Sequence, residues 1–376
     1  MPGKPIVILV HGMGDGAPPK PTNKKLGEFG EQFVEATDGL LTSFSKHKQQ
    51  SITDFVDVEE FYYNDTFETI AKTMGDQSKT VADRFVALQH LFPGGGGFLP
   101  EFIGRYSGWE SKFGSSKNFF FTHWLDVLFY MTYVGEKIRI DLQQRLAETI
   151  RDTGNASRIH IVAHSLGTAV VHDALQKLYP PGGVPVHGGK DWFSVESDQL
   201  GSIWMVSNVS KLINSVINFP DPTARTSTVK PGPGGCAIRF YNVRHRLDPF
   251  TLVRPFRPKN DGTWLTHESY ELLYGDIPTE LVLDANTHSF GQYISNPRVG
   301  LPMIARFIGN SKFKTTKKEV RKLVQKHAAA SIQGAYSRLE QAFEGIDYSN
   351  ADTIDKLLEA GEAFRAAIDN IRKELT

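Results

Sequence analysis

Short, uniformly apolar runs alternate along this chain with longer stretches in which apolar residues recur every three or four positions. Residues 5–10 (PIVILV), 202–207 (SIWMVS) and 236–243 (CAIRFYNV) are runs of strand length, rich in β-branched and aliphatic side chains. Such runs are expected of strands covered on both faces, as in a parallel sheet. Residues 159–164 (IHIVAH) form another short strand, residues 55–61 (FVDVEEF) alternate well enough for a further one, and 279–283 (TELVL) read as the last. Helical spacing fills the gaps. Over residues 23–46, Leu26, Phe29, Phe33, Leu40, Leu41 and Phe44 share one side; over 166–178, Leu166, Ala169, Val170, Ala174, Leu175 and Leu178 do. Residues 66–91, 119–150, 208–219 and a segment starting after Pro297 are also expected to be helical, with loops at 93–97 (PGGGG), 179–191 and 220–235. Strand followed by helix, repeated, predicts an α/β fold: a mostly parallel sheet flanked by helices.

Two stretches stand apart from that rhythm. Residues 64–135 form a long helical insertion, ending in an aromatic-rich run (Phe119, Phe120, Phe121, Trp124, Phe129, Tyr130, Tyr133) that suits either a buried helix or a cap over an apolar pocket. Beyond residue 310, apolar positions at 339, 343, 346, 354, 357, 364, 368, 371 and 375 predict an α-hairpin turning near 348–351, with Gly361 on its seam. The expected organisation is thus a domain over 1–310 and a helical appendage over 311–376.

Composition narrows the partners. The 376 residues carry 42 Lys plus Arg against 42 Asp plus Glu, so no global field recruits nucleic acid. Charge is local: Lys312, Lys314, Lys317, Lys318, Arg321, Lys322 and Lys326 face only Glu319, which allows peripheral membrane or protein contact through the C-terminal helices. Cys236 is the single cysteine, excluding an intramolecular disulfide and favouring a reducing compartment. Residues 5–10 are too short for a signal peptide, and the longest apolar stretch, 119–134, is broken by His123 and Asp126 and falls short of the ~20 residues that span a bilayer. A cytoplasmic protein is expected.

The chemistry gathers at strand ends. Residues 163–167 (AHSLG) place Ser165 on a tight turn between a strand and a helix, where small neighbours are required; an ordinary helix N-cap is the competing reading. A serine hydroxyl needs a base to become a nucleophile. His288 follows the last expected strand (DANTHSF) and Asp248 follows the one before it (RHRLDPF), with Asp221, Asp276 and Asp284 as competing carboxylates. In an open parallel sheet these ends lie on one edge, so Ser165, Asp248 and His288 can converge. Glycines 12, 14 and 16 after the first strand suit an anion-binding nest. A phosphate loop fits less well, because neither the Lys-Ser/Thr ending nor the G-x-G-x-x-G order is present. His11 and His164 read as structural hydrogen-bonders. The remaining histidines lack metal-ligand spacing, and neither a metal nor an organic cofactor is expected.

The HG pair after the first strand, the A-H-S-L-G turn, the Asp after a late strand and the final His resemble the serine esterases and lipases of the α/β-hydrolase family over roughly residues 5–308. The resemblance implies Ser165 as nucleophile, His288 as general base and then acid, and Asp248 as the orienting carboxylate. Backbone N–H groups of Leu166 and Met13 would bind the oxyanion, at about 3–4 kcal/mol per donor. It also implies hydrolysis of a small-molecule or lipid ester, with thioester or amide cleavage by the same residues as alternatives. A non-catalytic scaffold, or a membrane- or partner-binding protein on the same frame, stays open as well. The sequence departs from the family in two places. It opens directly on the HG strand, so the family's first two antiparallel strands are expected to be missing or rearranged, and its long insertion precedes the serine-bearing strand, where many members carry a cap after the strand that follows it.

Overall fold

In a computed structural model, which describes residues 3–12, 26–63, 130, 133–183, 193–216, 220–246, 248, 251, 254–279, 288–309 and 311–330, six parallel strands form one sheet. They are β1 (Ile6–Val10), β2 (Asp57–Phe61), β3 (Ile159–His164), β4 (Ser202–Val206), β5 (Phe240–His245) and β6 (Tyr274–Thr279), in the order β2-β1-β3-β4-β5-β6. The helices are α1 (Glu28–Leu41), α2 (Tyr133–Thr153), α3 (Leu166–Leu178), α4 (Ser210–Val216), α5 (His267–Leu273), α6 (Phe290–Ser295), α7 (Pro297–Ile308) and α8 (Lys317–Ala330).

The central strands are apolar on both faces because each face meets its own layer of helices. Side chains alternate across a strand. Ile8, Val10, Ile161, Ala163, Ile203 and Met205 therefore pack with α2 and α3 in one core, while Val7, Leu9, Val162, Trp204 and Val206 pack with α1, α6 and α7 in the other. All six residues of β3 and all five of β4 are buried. Trp204 is the largest of them, stacked on Tyr241 of β5 with ring centroids 3.8 Å apart, its Nε1 donating to Ser202 Oγ at 3.0 Å. Trp204→Ala is expected to cost about 3–5 kcal/mol; urea denaturation should show a lowered midpoint with an unchanged slope.

Two strands lie off their expected places. The fifth begins at Phe240, four positions after the start of the apolar run at Cys236. Cys236 and Ala237 are buried all the same, held by Leu200 N–H donating to Cys236 O (2.8 Å) and Cys236 N–H to Thr228 O (2.8 Å). Burial gave this segment its strand-like composition, but Ala237 makes isolated bridges, to Leu200 and to Pro231, in place of a continuous ladder. The last strand is YGDIPT, ending at Thr279 where the run TELVL begins; residues 280–283 lie outside the described residues. Gly275 and Pro278 hide it from a propensity reading. Both are tolerable because β6 is an edge strand, and Gly275 is needed because a Cβ there would lie 2.7 Å from the Tyr241 ring.

The basic segment after residue 311 packs on the helix layer formed by α1 and α7. Leu323 of α8 joins the core beside α1 and α7, with Phe313 and Val320 against it, and Lys317, Lys318, Arg321, Lys322 and Lys326 are exposed. Most of the expected insertion over 64–135, and the expected hairpin beyond 332, lie outside the described residues. From the aromatic-rich stretch, Tyr130 is buried in the α2/α3 core and its hydroxyl donates to Asp173 at 2.7 Å. Among the described residues, no helix is long and apolar enough to cross a membrane.

Candidate active site

Because all six strands run the same way, the residues that follow β3, β4 and β5 share one edge of the sheet. Ser165 follows β3 at φ 52° and ψ −126°. A non-glycine residue in that region is strained by about 1–3 kcal/mol, so the surroundings must hold it. They do so from three sides. Ser165 N–H donates to Val206 O at 3.1 Å. Its carbonyl accepts from Thr168 Oγ1 at 2.6 Å, and that hydroxyl accepts in turn from Val209 N–H at 3.0 Å. Gly167 lets α3 sit against β1: a Cβ there would lie 2.4 Å from the carbonyl oxygens of both Val10 and His11.

The Ser165 side chain makes no capping bond to α3. Its Oγ lies 2.9 Å from His288 Nε2. On the far side of that ring, Nδ1 is 3.1 Å from Oδ1 and 3.0 Å from Oδ2 of Asp248. An ionised carboxylate can only accept, so Nδ1 carries a proton and Nε2 is left to accept the serine hydroxyl. All three residues are buried, Asp248 completely. Burial alone would push the Asp248 carboxyl up. The positive charge available on His288, with hydrogen bonds from His288, Ser207 and Tyr293, outweighs burial and holds it below the usual carboxylate range.

The other carboxylates are engaged elsewhere. Asp276 takes Arg244 at 2.9 Å and Asn242 at 3.0 Å, and Asp221 takes Lys211 at 3.2 Å; Asp284 lies outside the described residues. His164 Nε2 donates to the carbonyl of His288 at 2.9 Å, fixing the backbone of that loop. His11 Nδ1 donates to Gly12 O at 2.5 Å while its Nε2 accepts Tyr63 N–H at 3.3 Å, with the Tyr63 ring stacked at 4.2 Å. Both rings bond to main chain beside the site. Leu166 opens α3, so its N–H has no intrahelical carbonyl to bond. Met13 lies outside the described residues; the loop is described as far as Gly12, which is buried.

Two residues at the site have no motif to announce them. Ser207 follows β4 at φ 49°, and its hydroxyl donates to Asp248 Oδ2 at 2.5 Å with His288 Nδ1 2.9 Å away. Tyr293, on α6, donates to the same Oδ2 at 2.8 Å. The only sequence signal for Ser207 is its place at the end of a buried run, which Ser165 shares. Tyr293 has none beyond its closeness to His288 in the chain. Among the described residues, no group of three or more His, Cys, Asp and Glu side chains could hold a metal ion.

Fold and site together define an α/β protein with a hydrogen-bonded Ser-His-Asp chain at the carboxyl edge of a parallel sheet. The chain matches no protein-family model and no curated protein.

Proposed function

We propose that this protein is a serine hydrolase of the α/β-hydrolase kind, cleaving carboxylic esters with apolar acyl groups through an acyl-enzyme. One observation carries the reading: a strained, buried Ser165 whose hydroxyl meets His288 Nε2 at 2.9 Å, with Nδ1 of the same ring against a fully buried Asp248.

In this mechanism Ser165 Oγ attacks the ester carbonyl as its proton passes to His288 Nε2. The Leu166 N–H, at the positive end of α3, receives the developing oxyanion, with the N–H of Met13 as the second donor that the resemblance implies. His288 then protonates the leaving alkoxide, and the alcohol departs. Water enters, gives a proton to His288 and attacks the acyl-serine; collapse releases the acid and returns the proton to Ser165. Every proton is accounted for by Ser165, His288, water and the alcohol, while Asp248 stays ionised throughout. The apolar acyl group rests only on the aromatic composition of residues 119–133, of which Tyr130 lies in the α2/α3 core.

The test is covalent. A fluorophosphonate probe is expected to label the wild-type protein at Ser165, and p-nitrophenyl esters of graded chain length should be cleaved faster as the acyl chain lengthens. Absence of labelling together with absence of ester, thioester and amide cleavage would leave only the scaffold reading. A profile favouring acetate would remove the apolar-acyl part.

A further inference from the structure

We infer that Ser207 and Tyr293 are positioning residues: two hydroxyls that clamp the buried Asp248 carboxylate in place and direct it at His288 Nδ1. This deepens the serine-hydrolase reading and rests on it for the kinetic part of its test.

The geometry assigns each proton. Oδ2 of Asp248 has a hydroxyl on either side, Ser207 Oγ at 2.5 Å and Tyr293 Oη at 2.8 Å. A hydroxyl has one proton to give. Ser207 spends it on the carboxylate, at a distance usual for a charge-assisted O–H···O⁻ bond. Its lone pairs then face Nδ1–H, 2.9 Å away, so the imidazole proton is shared between the carboxylate and Ser207. Tyr293 gives its proton to Oδ2 and accepts the N–H of His245 at 2.9 Å, which ties the end of β5 to α6 just after His288.

Backbone strain points the same way. Ser207 and Ser165 are the two non-glycine residues with positive φ among the described residues, and they end the neighbouring strands β4 and β3. The main chain at Ser207 is anchored by its N–H to Val243 O at 2.8 Å, so the left-handed turn is held firmly enough to aim a side chain. One strained serine faces Nε2 of His288 and the other faces Nδ1.

The chemical need is plain. When His288 takes the Ser165 proton, an imidazolium forms beside a carboxylate with no exposed surface. A carboxylate stays ionised in such a place only while it is well supplied with donors. Two further titratable groups lie near the pair, His164 from β3 and His245 from β5, whose rings are 4.9 Å from His288 and 6.4 Å from Tyr293 respectively.

The experiment uses Ser207→Ala and Tyr293→Phe in the full-length protein. Each removes one hydroxyl and leaves the rest of the side chain, and alanine at φ 49° is no more strained than serine. Each variant is expected to lose about 10- to 100-fold in kcat with KM nearly unchanged, the range of a lost hydrogen bond to a charged group. The acid limb of kcat/KM, set by protonation of the base His288, should move to higher pH, because a carboxylate with fewer donors keeps more of its charge for the imidazolium beside it. The His288 Nδ1 proton, followed as a downfield resonance in proton NMR, should change its shift in Ser207→Ala, which removes one of its acceptors and one donor to the carboxylate. Unchanged kcat, pH profile and resonance in both variants would overturn the clamp. Should Ser207→Ala fail to fold, Tyr293→Phe carries the same kinetic and pH readouts. If the wild-type protein hydrolyses nothing, the hydrolase reading fails, and the clamp is still judged by the resonance.

Discussion

Ser165→Ala is expected to lower ester hydrolysis by about 10⁶-fold in kcat, the scale seen when the nucleophile of such a chain is removed, which corresponds to about 8 kcal/mol of lost transition-state stabilisation. The size of the effect follows from the geometry. Without Oγ, the base at 2.9 Å has no proton to take, and the remaining donors can bind an oxyanion that no longer forms covalently on the protein. Alanine keeps the backbone at φ 52°, so the strain of the turn persists and only one hydrogen bond is lost. Stability should change by about 1 kcal/mol. Initial rates and thermal melting of the same preparation measure both, and activity retained within tenfold of wild type would remove Ser165 from the chemistry.

Asp248→Asn is expected to cost about 10⁴-fold in kcat with the fold intact. The reason lies in which oxygen is already committed. Ser207 and Tyr293 both donate to the Oδ2 position, so the amide oxygen of an asparagine must stand there and its NH2 must stand at Oδ1, 3.1 Å from His288 Nδ1. Nδ1–H would then face the NH2 at 3.1 Å and, at 3.0 Å, only a neutral amide oxygen already taken by two hydroxyls. Nδ1 would become the acceptor, the ring proton would move to Nε2, and the base would be lost to Ser165.

The same substitution has a signature in stability. The Asp248 carboxyl is held below its ordinary range by His288 and the hydrogen bonds of Ser207 and Tyr293, against the upward push of burial. A carboxylate with a depressed folded-state value contributes stability that is fully present above its unfolded value, about 3.9, and is lost as pH falls through the lower, folded value. Urea midpoints of wild type and Asp248→Asn should therefore converge as pH falls below about 4, once other acid-sensitive groups are cancelled by taking the difference. A gap that stays constant with pH would show that the carboxylate does not carry the charge described.

Legibility differed from one residue to the next for physical reasons. PIVILV, IHIVAH and SIWMVS announce strands because helices cover both faces and most positions are apolar, the buried His160, His164 and Ser202 being hydrogen-bonded. YGDIPT does not, since an edge strand escapes that demand and can keep Gly275 and Pro278. Cys236 and Ala237 mislead in the other direction, being buried in irregular chain. At the site, Ser165 is legible because a strained turn needs small neighbours close to it in sequence, and Gly167 with its 2.4 Å neighbours records that need.

By itself, then, the sequence determined the alternation of strands and helices, and with it a parallel sheet whose strand ends carry Ser165, Asp248 and a neighbouring His288. These are properties of local pattern, where each residue's type follows from its own burial or backbone angle. Only the tertiary structure decided which of several carboxylates meets His288, that His164 and His11 bond to main chain, and that Ser207 and Tyr293 share an oxygen of Asp248. Those outcomes depend on the order and register of β3, β4 and β5, and on the path of α6 beside them. Long-range juxtaposition of this kind leaves no spacing in the chain.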